Sequence, residues 1–146
     1  MLGEGEHCFD EGFVVEGASI EVTALSMGNP HAVLFGISPE KREKLGPVLE
    51  SWEQFPQRTN VSFVDVVGEN SLEIAVYERG CGWTEACGTG ACAAALAAQL
   101  TQRIKGNGDI AVKLPGGLLK IEIDPQLKNI WLSGPAIPVF SGTWWR

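Results

Sequence analysis

The stretch ERGCGWTEACGTGACAAALAA, residues 78–98, orders the reading of the whole chain. Glu78 and Arg79 stand side by side, Gly80 and Gly82 flank Cys81, and Cys87 is followed by Gly88-Thr89-Gly90 and an alanine-rich run. The pattern predicts a strand end, a glycine-rich loop, and then a helix that starts beside Cys87. On that helix Cys92, Leu96, Leu100 and Ile104 share one stripe at i+4 spacing, while much of the remaining surface is alanine. A helix with small side chains nearly all round is usually enclosed by protein, so a sheet is expected to wrap it. The helix propensity of alanine explains the composition equally well.

Working outward, residues 20–25 and 32–35 read as strands separated by the Gly28-Asn29-Pro30 corner. Ser38-Pro39-Glu40 reads as the start of a surface helix, with a capping hydroxyl, a proline at the first position and an acid in the first turn. Gly46-Pro47 is expected to stop or kink that helix after about Leu45. Residues 61–67 and 71–77 form a predicted hairpin around Gly68-Glu69-Asn70, and residues 110–114 and 118–123 another around Pro115-Gly116-Gly117. A last strand is expected over 129–132. Strands dominate, with two helices, in an α+β arrangement.

The 146 residues suit one domain, with 45% hydrophobic and 20% charged residues. Eleven Lys plus Arg against 18 Asp plus Glu leave a formal charge of −7, which argues against a nucleic-acid or anionic-membrane partner. The apolar run 91–100 falls far short of the roughly 20 residues a bilayer span needs. The N-terminus MLGEGEHCFDEG has neither a basic start nor an apolar h-region, so no signal peptide is expected. Cys8, Cys81, Cys87 and Cys92 are therefore expected as thiols in a reducing cytoplasm. Their spacing matches no CxxC zinc pattern, and no metal site is expected even with His7 and His31 available.

Chemistry concentrates at Cys87. A helix start offers unpaired N–H groups and the positive end of the dipole, which bind carboxylate or phosphate and lower the pKa of a thiol. Glycines on either side of Thr89 let the backbone approach a ligand without Cβ interference. Cys87 therefore reads as a base placed beside an anion cradle. Glu78 and Arg79 together suit a zwitterion, although an adjacent acid and base also occur as a solvated surface pair. Asn29 and Asn60 have an alternative reading as backbone caps, and His31 as a satisfied core histidine.

Taken in order, the blocks Ser26-Met27-Gly28-Asn29-Pro30-His31-Ala32-Val33, Arg58-Thr59-Asn60-Val61, Glu78-Arg79-Gly80-Cys81-Gly82 and Ala86-Cys87-Gly88-Thr89-Gly90-Ala91-Cys92 resemble diaminopimelate epimerase. The resemblance runs from about Ile20 to the Trp131-Leu132-Ser133-Gly134-Pro135-Ala136 segment. It implies a fold of two similar halves, each a curved, mostly antiparallel sheet around a central helix, with the active site between them. It also implies a cofactor-free epimerase that inverts one α-carbon of diaminopimelate, feeding lysine and peptidoglycan synthesis in bacteria. Two cysteines, one per half, would face opposite sides of that carbon. By the resemblance Cys87 is the second-half cysteine, Gly88 and Thr89 offer N–H groups to the reacting carboxylate, and Glu78 holds the α-ammonium and assists Cys87. Asn29, Asn60 and Arg79 would hold the distal amino-acid group, and His31 would support the cysteine of the other half.

Two departures qualify the resemblance. Residues 1–146 match only the C-terminal half of the family as a single domain, so the first cysteine is expected from a complementary N-terminal half or from a homodimer partner. A cloned fragment, a split gene and a half-length relative all remain open. Cys8 has no glycine loop to replace the missing cysteine, and Phe140, Trp144 and Trp145 are expected as apolar groups open to another chain. The family usually has a small residue at position 81 and often an acid at 83. Here Cys81 reads as a small apolar replacement, with a redox pairing to Cys87 left open, and Trp83 is expected to cover the site mouth or alter what fits. A related amino-acid racemase and a non-catalytic amino-acid- or partner-binding half-domain are the alternatives.

Overall fold

The computed structural model describes residues 7–105 and 108–145. Residues 1–6, on which part of the N-terminal reading rests, lie outside the described residues. Strands β1 (Cys8–Val15), β2 (Ala18–Ser26) and β3 (Pro30–Phe35) precede helix α1 (Pro39–Glu50). Strands β4 (Asn60–Gly68), β5 (Ser71–Glu78) and β6 (Gly82–Thr84) lead into helix α2 (Gly88–Leu100), and β7 (Ile110–Leu114), β8 (Gly117–Ile123) and β9 (Ile130–Ser133) follow. All the strands join one sheet in the order β1-β2-β3-β4-β5-β7-β8-β9, with β6 attached to β5. Neighbours are antiparallel except β3–β4 and β5–β7, each a parallel pair whose crossover carries a helix.

The two crossovers start from oppositely directed strands, because β4 and β5 run antiparallel. Right-handed connections then send the helices to opposite faces of the sheet. The period-two alternation of each strand feeds two separate cores. Ala32, Leu34, Val61 and Phe63 pack with Leu45 and Leu49 of α1. Val33, Val64, Leu72, Ile74, Val76, Ile110, Val112 and Ile121 pack with the alanines of α2. The sheet curls so far round α2 that β2, β3, β4, β5, β7, β8 and β9 all pack against it. The result is the expected α+β arrangement.

The sheet encloses α2 as expected, and the alanines rather than the apolar stripe are its most deeply buried face. Ala91, Ala93, Ala94, Ala95, Ala97 and Ala98 are buried, whereas Cys92 and Leu96 are half-buried and Leu100 is exposed. Close approach of the curled sheet leaves room only for methyl-sized side chains, so the larger ones turn outward. Ile104 lies beyond the helix but still enters the same core.

Helix α1 also differs from expectation, running through Gly46-Pro47 to Glu50. A Cβ on Gly46 would lie 3.1 Å from the Tyr77 ring, so glycine allows the helix to press onto β5 there. Leu45 and Leu49 are buried on either side, and this packing outweighs the helix hydrogen bond that Pro47 cannot make. Ser38 has the extended N-cap backbone but makes no side-chain cap hydrogen bond. Two strands escaped the pattern. In β1 two acids and a glycine obscure the alternation, and β6 is only three residues long.

Candidate active site

Cys87 is the N-cap of α2, with extended backbone at φ −139° and ψ 103°. Its Sγ accepts the Gly90 N–H at 3.3 Å, and its carbonyl accepts the Ala91 N–H at 2.9 Å. Thr89 Oγ1 lies 3.7 Å from the sulfur. Glycine at 90 allows close packing: a Cβ there would lie 3.1 Å from Sγ and 3.3 Å from Val76 Cγ2, so the sulfur would have to give by a few tenths of an ångström. Gly88 and Thr89 are exposed, and as first-turn residues their N–H groups have no acceptor within the helix.

The thiol does not have the lowered pKa expected of a helix start. Cys87 is only 6% exposed, and this burial pushes the thiol above its ordinary value. The Thr89 hydroxyl and the Gly90 N–H pull it down, and the carboxylate of Glu78 pushes it up again. Desolvation of a thiolate thus outweighs the donors at the helix end.

The sheet register delivers the remaining residues to the same place. His31 on β3 pairs with Asn60 on β4, and Val61 pairs with Tyr77 of β5, so three strand ends meet beside the start of α2. The Glu78 carboxylate at the end of β5 accepts the Thr84 hydroxyl at 2.6 Å from the adjoining β6. Asn29 Nδ2 donates to Thr89 Oγ1 at 3.5 Å, which leaves Asn29 Oδ1 as the acceptor facing His31 Nε2 at 3.1 Å. A continuous polar chain therefore runs from His31 through Asn29 and Thr89 to Cys87.

His31 is fully buried, and its Nδ1 has no partner. Burial, and then the nearby Arg79 charge, push its pKa down to about 4. The ring is neutral at ordinary pH and carries its proton on Nε2, toward Asn29. Asn60 is 4% exposed and has both ends of its amide engaged: Nδ2 donates to the Pro30 carbonyl at 3.0 Å, and Oδ1 accepts the Arg79 N–H at 3.1 Å. Arg79 itself is exposed, with Nη1 donating to the Gln57 carbonyl at 3.0 Å.

Cys87, Thr89, Asn29 and His31 are thus linked directly, Glu78 acts on the thiol, and Asn60 joins Arg79 to the corner at Pro30. Gly88 stands beside them at the opening of the helix. Trp83 does not cover this group. Its ring packs against Phe63 and Tyr77 at centroid distances of 5.8 and 5.3 Å, and its Nε1 donates to Glu43 of α1 at 3.1 Å. Those partners line the α1 face of the sheet, so position 83 serves the opposite side from Cys87. Cys81 is exposed, and Cys8, Cys81, Cys87 and Cys92 are all free thiols. Among the described residues no three His, Cys, Asp or Glu side chains gather as metal ligands. No helix among them is long and apolar enough to cross a membrane.

Two contributors had escaped the sequence reading. Thr84, six residues beyond Glu78, meets it because the Gly80-Cys81-Gly82 turn folds β6 back on β5, and the paired glycines were the available signal. Glu50, a buried carboxylate, lies beyond the point where α1 was expected to end.

The family model described as diaminopimelate epimerase matches residues 23–138. Over 134 residues the chain is 51% identical to the diaminopimelate epimerase of Synechococcus sp. (strain JA-3-3Ab), covering 88% of this chain and 46% of that protein. It is 44% identical over 144 residues to the diaminopimelate epimerase of Moorella thermoacetica (strain ATCC 39073 / JCM 9320), covering 97% of this chain and 51% of that one. The chain spans about half the length of the curated relatives it matches. Among solved structures, a hydroxyproline epimerase from Agrobacterium vitis with bound trans-4-OH-L-proline has a TM-score of 0.56 at 16% identity, covering 79% of this chain and 40% of that one. A PhzF-family phenazine biosynthesis protein from Bacillus anthracis has a TM-score of 0.53 at 16% identity, covering 77% and 38%. At these identities the likeness is one of fold.

Proposed function

The chain belongs to the diaminopimelate epimerase family, and from that premise we propose that it supplies one acid–base face of a cofactor-independent amino-acid epimerase. The substrate is diaminopimelate, an intermediate of lysine and peptidoglycan precursor synthesis, and the protein works in the cytoplasm. Residues 1–146 act as the equivalent of the family's C-terminal half, and a complementary half supplies the second acid. The observation that carries this reading is the Cys87 sulfur, buried at the N-cap of α2 beside the exposed first-turn residues Gly88 and Thr89.

The substrate α-carboxylate docks on the N–H groups of Gly88 and Thr89. Its α-ammonium meets Glu78, whose charge adds to burial in holding the Cys87 thiol protonated. Neutralising Glu78 lowers the thiol pKa when substrate arrives, so binding itself favours the thiolate. That thiolate removes the α-proton, and the electron pair left on carbon delocalises into the carboxylate, where the helix-end N–H groups stabilise it. A proton delivered to the opposite face by the second acid completes inversion, and the roles reverse for the return reaction. Once the complementary half covers the exposed Gly88 and Thr89, exclusion of water strengthens each of these interactions. Arg79 receives the distal carboxylate. Asn29 and His31 hold Thr89 against the thiol, and Asn60 fixes the Arg79 backbone.

The test is conversion of LL- to meso-diaminopimelate by the chain mixed with the first half of the Synechococcus relative. Turnover is expected, and Cys87→Ala should reduce it by roughly a hundredfold to ten-thousandfold, as loss of a catalytic proton-transfer group does. Turnover by the chain alone would assign the second acid to a second copy. Turnover of proline in place of diaminopimelate, or activity that survives Cys87→Ala, would overturn the reading.

A further inference from the structure

Glu50 is the last residue of α1 and is only 3% exposed. Its Oε2 accepts a hydrogen bond from Arg58 Nη2, its Oε1 accepts the Gly80 N–H at 3.1 Å, and its backbone carbonyl accepts the Thr59 N–H at 3.0 Å. Arg58 and Gly80 both have left-handed backbones, at φ 60° and φ 77°. That conformation is strained for arginine, so a neighbouring group has to hold it. One carboxylate therefore ties together two turns, the first leading into Asn60 and the second following Arg79. Asn60 Oδ1 takes the Arg79 N–H, so the consecutive N–H groups of Arg79 and Gly80 are both held by buried side chains.

A buried carboxylate is costly unless its lone pairs are filled, and here they are filled by the two turns. The charge is also balanced from one side only, by an arginine whose side chain is half exposed. Helix α1 is anchored to the sheet by Leu45 and Leu49, so it gives this carboxylate a rigid base. We propose that Glu50 is a positioning residue that clamps the 78–80 strand end from behind and so sets where Arg79 presents its guanidinium. The consequence for substrate rests on the epimerase reading, with Arg79 as the receptor of the distal carboxylate. The clamp itself does not.

Two measurements test this. Amide hydrogen exchange in the chain alone reads the clamp directly, because local opening of the turn frees the Gly80 N–H from Glu50. Glu50→Gln keeps the shape but removes the charge that holds Arg58, and the Gly80 and Arg79 amides should exchange about tenfold faster, with α2 unchanged. In the reconstituted pair the same variant should raise KM for diaminopimelate about tenfold while kcat changes by less than about threefold, the signature of lost binding orientation. Ile20→Val, in the buried face of β2 and away from both turns, should lower the melting temperature and leave KM alone. Arg58→Met should reproduce the Glu50→Gln pattern in a chain that keeps the carboxylate. Unchanged exchange at Gly80, or faster exchange with KM unmoved in an active pair, would overturn the proposal. If the unmodified pair shows no turnover, the epimerase reading fails instead, and the Gly80 and Arg79 amides alone decide the clamp.

Discussion

At the scale of single residues, burial first and then the groups around the sulfur set what the Cys87 thiol does at each pH. In the isolated chain Cys87 should alkylate more slowly than an exposed thiol at pH 8, because burial and Glu78 hold it protonated. Glu78→Gln should speed its reaction with iodoacetamide at that pH by roughly threefold to tenfold, as expected for removing one nearby charge. Thr89→Val should slow it. The Cys92 thiol is pushed up by its own burial and then by the charge of a Cys87 thiolate, so site-resolved mass spectrometry must separate the two. Gly90→Ala would press a methyl group against Sγ and should lower activity in the reconstituted pair while the fold persists. His31 gives a stability signature. Its folded pKa of about 4 lies below the ordinary value of 6.5, so the unfolded chain binds more protons between those values. The stabilisation is complete above pH 6.5 and is lost as pH falls through 4, by roughly 3 kcal/mol for a shift of this size. Urea unfolding across pH 4–7 should show that slope, and His31→Gln should flatten it.

At the scale of elements, the motif row was legible and its supports were not. Glycines and a cysteine at a helix start declare their backbone geometry, so Cys87, Gly88 and Thr89 could be placed from the pattern alone. The alternating strands 61–67 and 71–77 likewise became β4 and β5 with the expected turn between them. Sequence periodicity failed where tertiary packing overrides local preference. It ended α1 at Gly46-Pro47, where contact between Gly46 and Tyr77 sustains the helix, and so hid Glu50. It left open which face of α2 the curled sheet buries most closely, and the alanines form that face. That account predicts that Ala94→Leu, on the buried face, destabilises the fold by about 1–3 kcal/mol through overpacking. Leu96→Ala, on the half-buried face, should cost less. Chemical denaturation of the two variants measures the difference.

At the scale of the whole molecule, the described surface keeps an unusual amount of apolar area. Phe140 and Trp144 are each 89% exposed, and Ile137, Val139 and Trp145 are similarly open along a segment without regular secondary structure. Trp131 and Leu132 of β9 add to it, with Leu132 Cδ1 within 3.3 Å of where a Cβ on Gly88 would sit. Apolar area therefore adjoins the helix start that presents the thiol, which suits a site completed by another polypeptide surface. Mixing with the complementary half should shift tryptophan emission to the blue, and Trp144→Asp should weaken that association.

The central claim is that Cys87 serves one face of the substrate α-carbon, and solvent exchange resolves the faces. LL- and meso-diaminopimelate, each incubated in deuterated water with the reconstituted pair, report deuterium at the α-carbon by NMR. The unmodified pair should exchange the α-proton of both epimers, whereas Cys87→Ala should abolish inversion and leave exchange in one epimer at most. Exchange of both epimers at undiminished rates in Cys87→Ala would contradict the account.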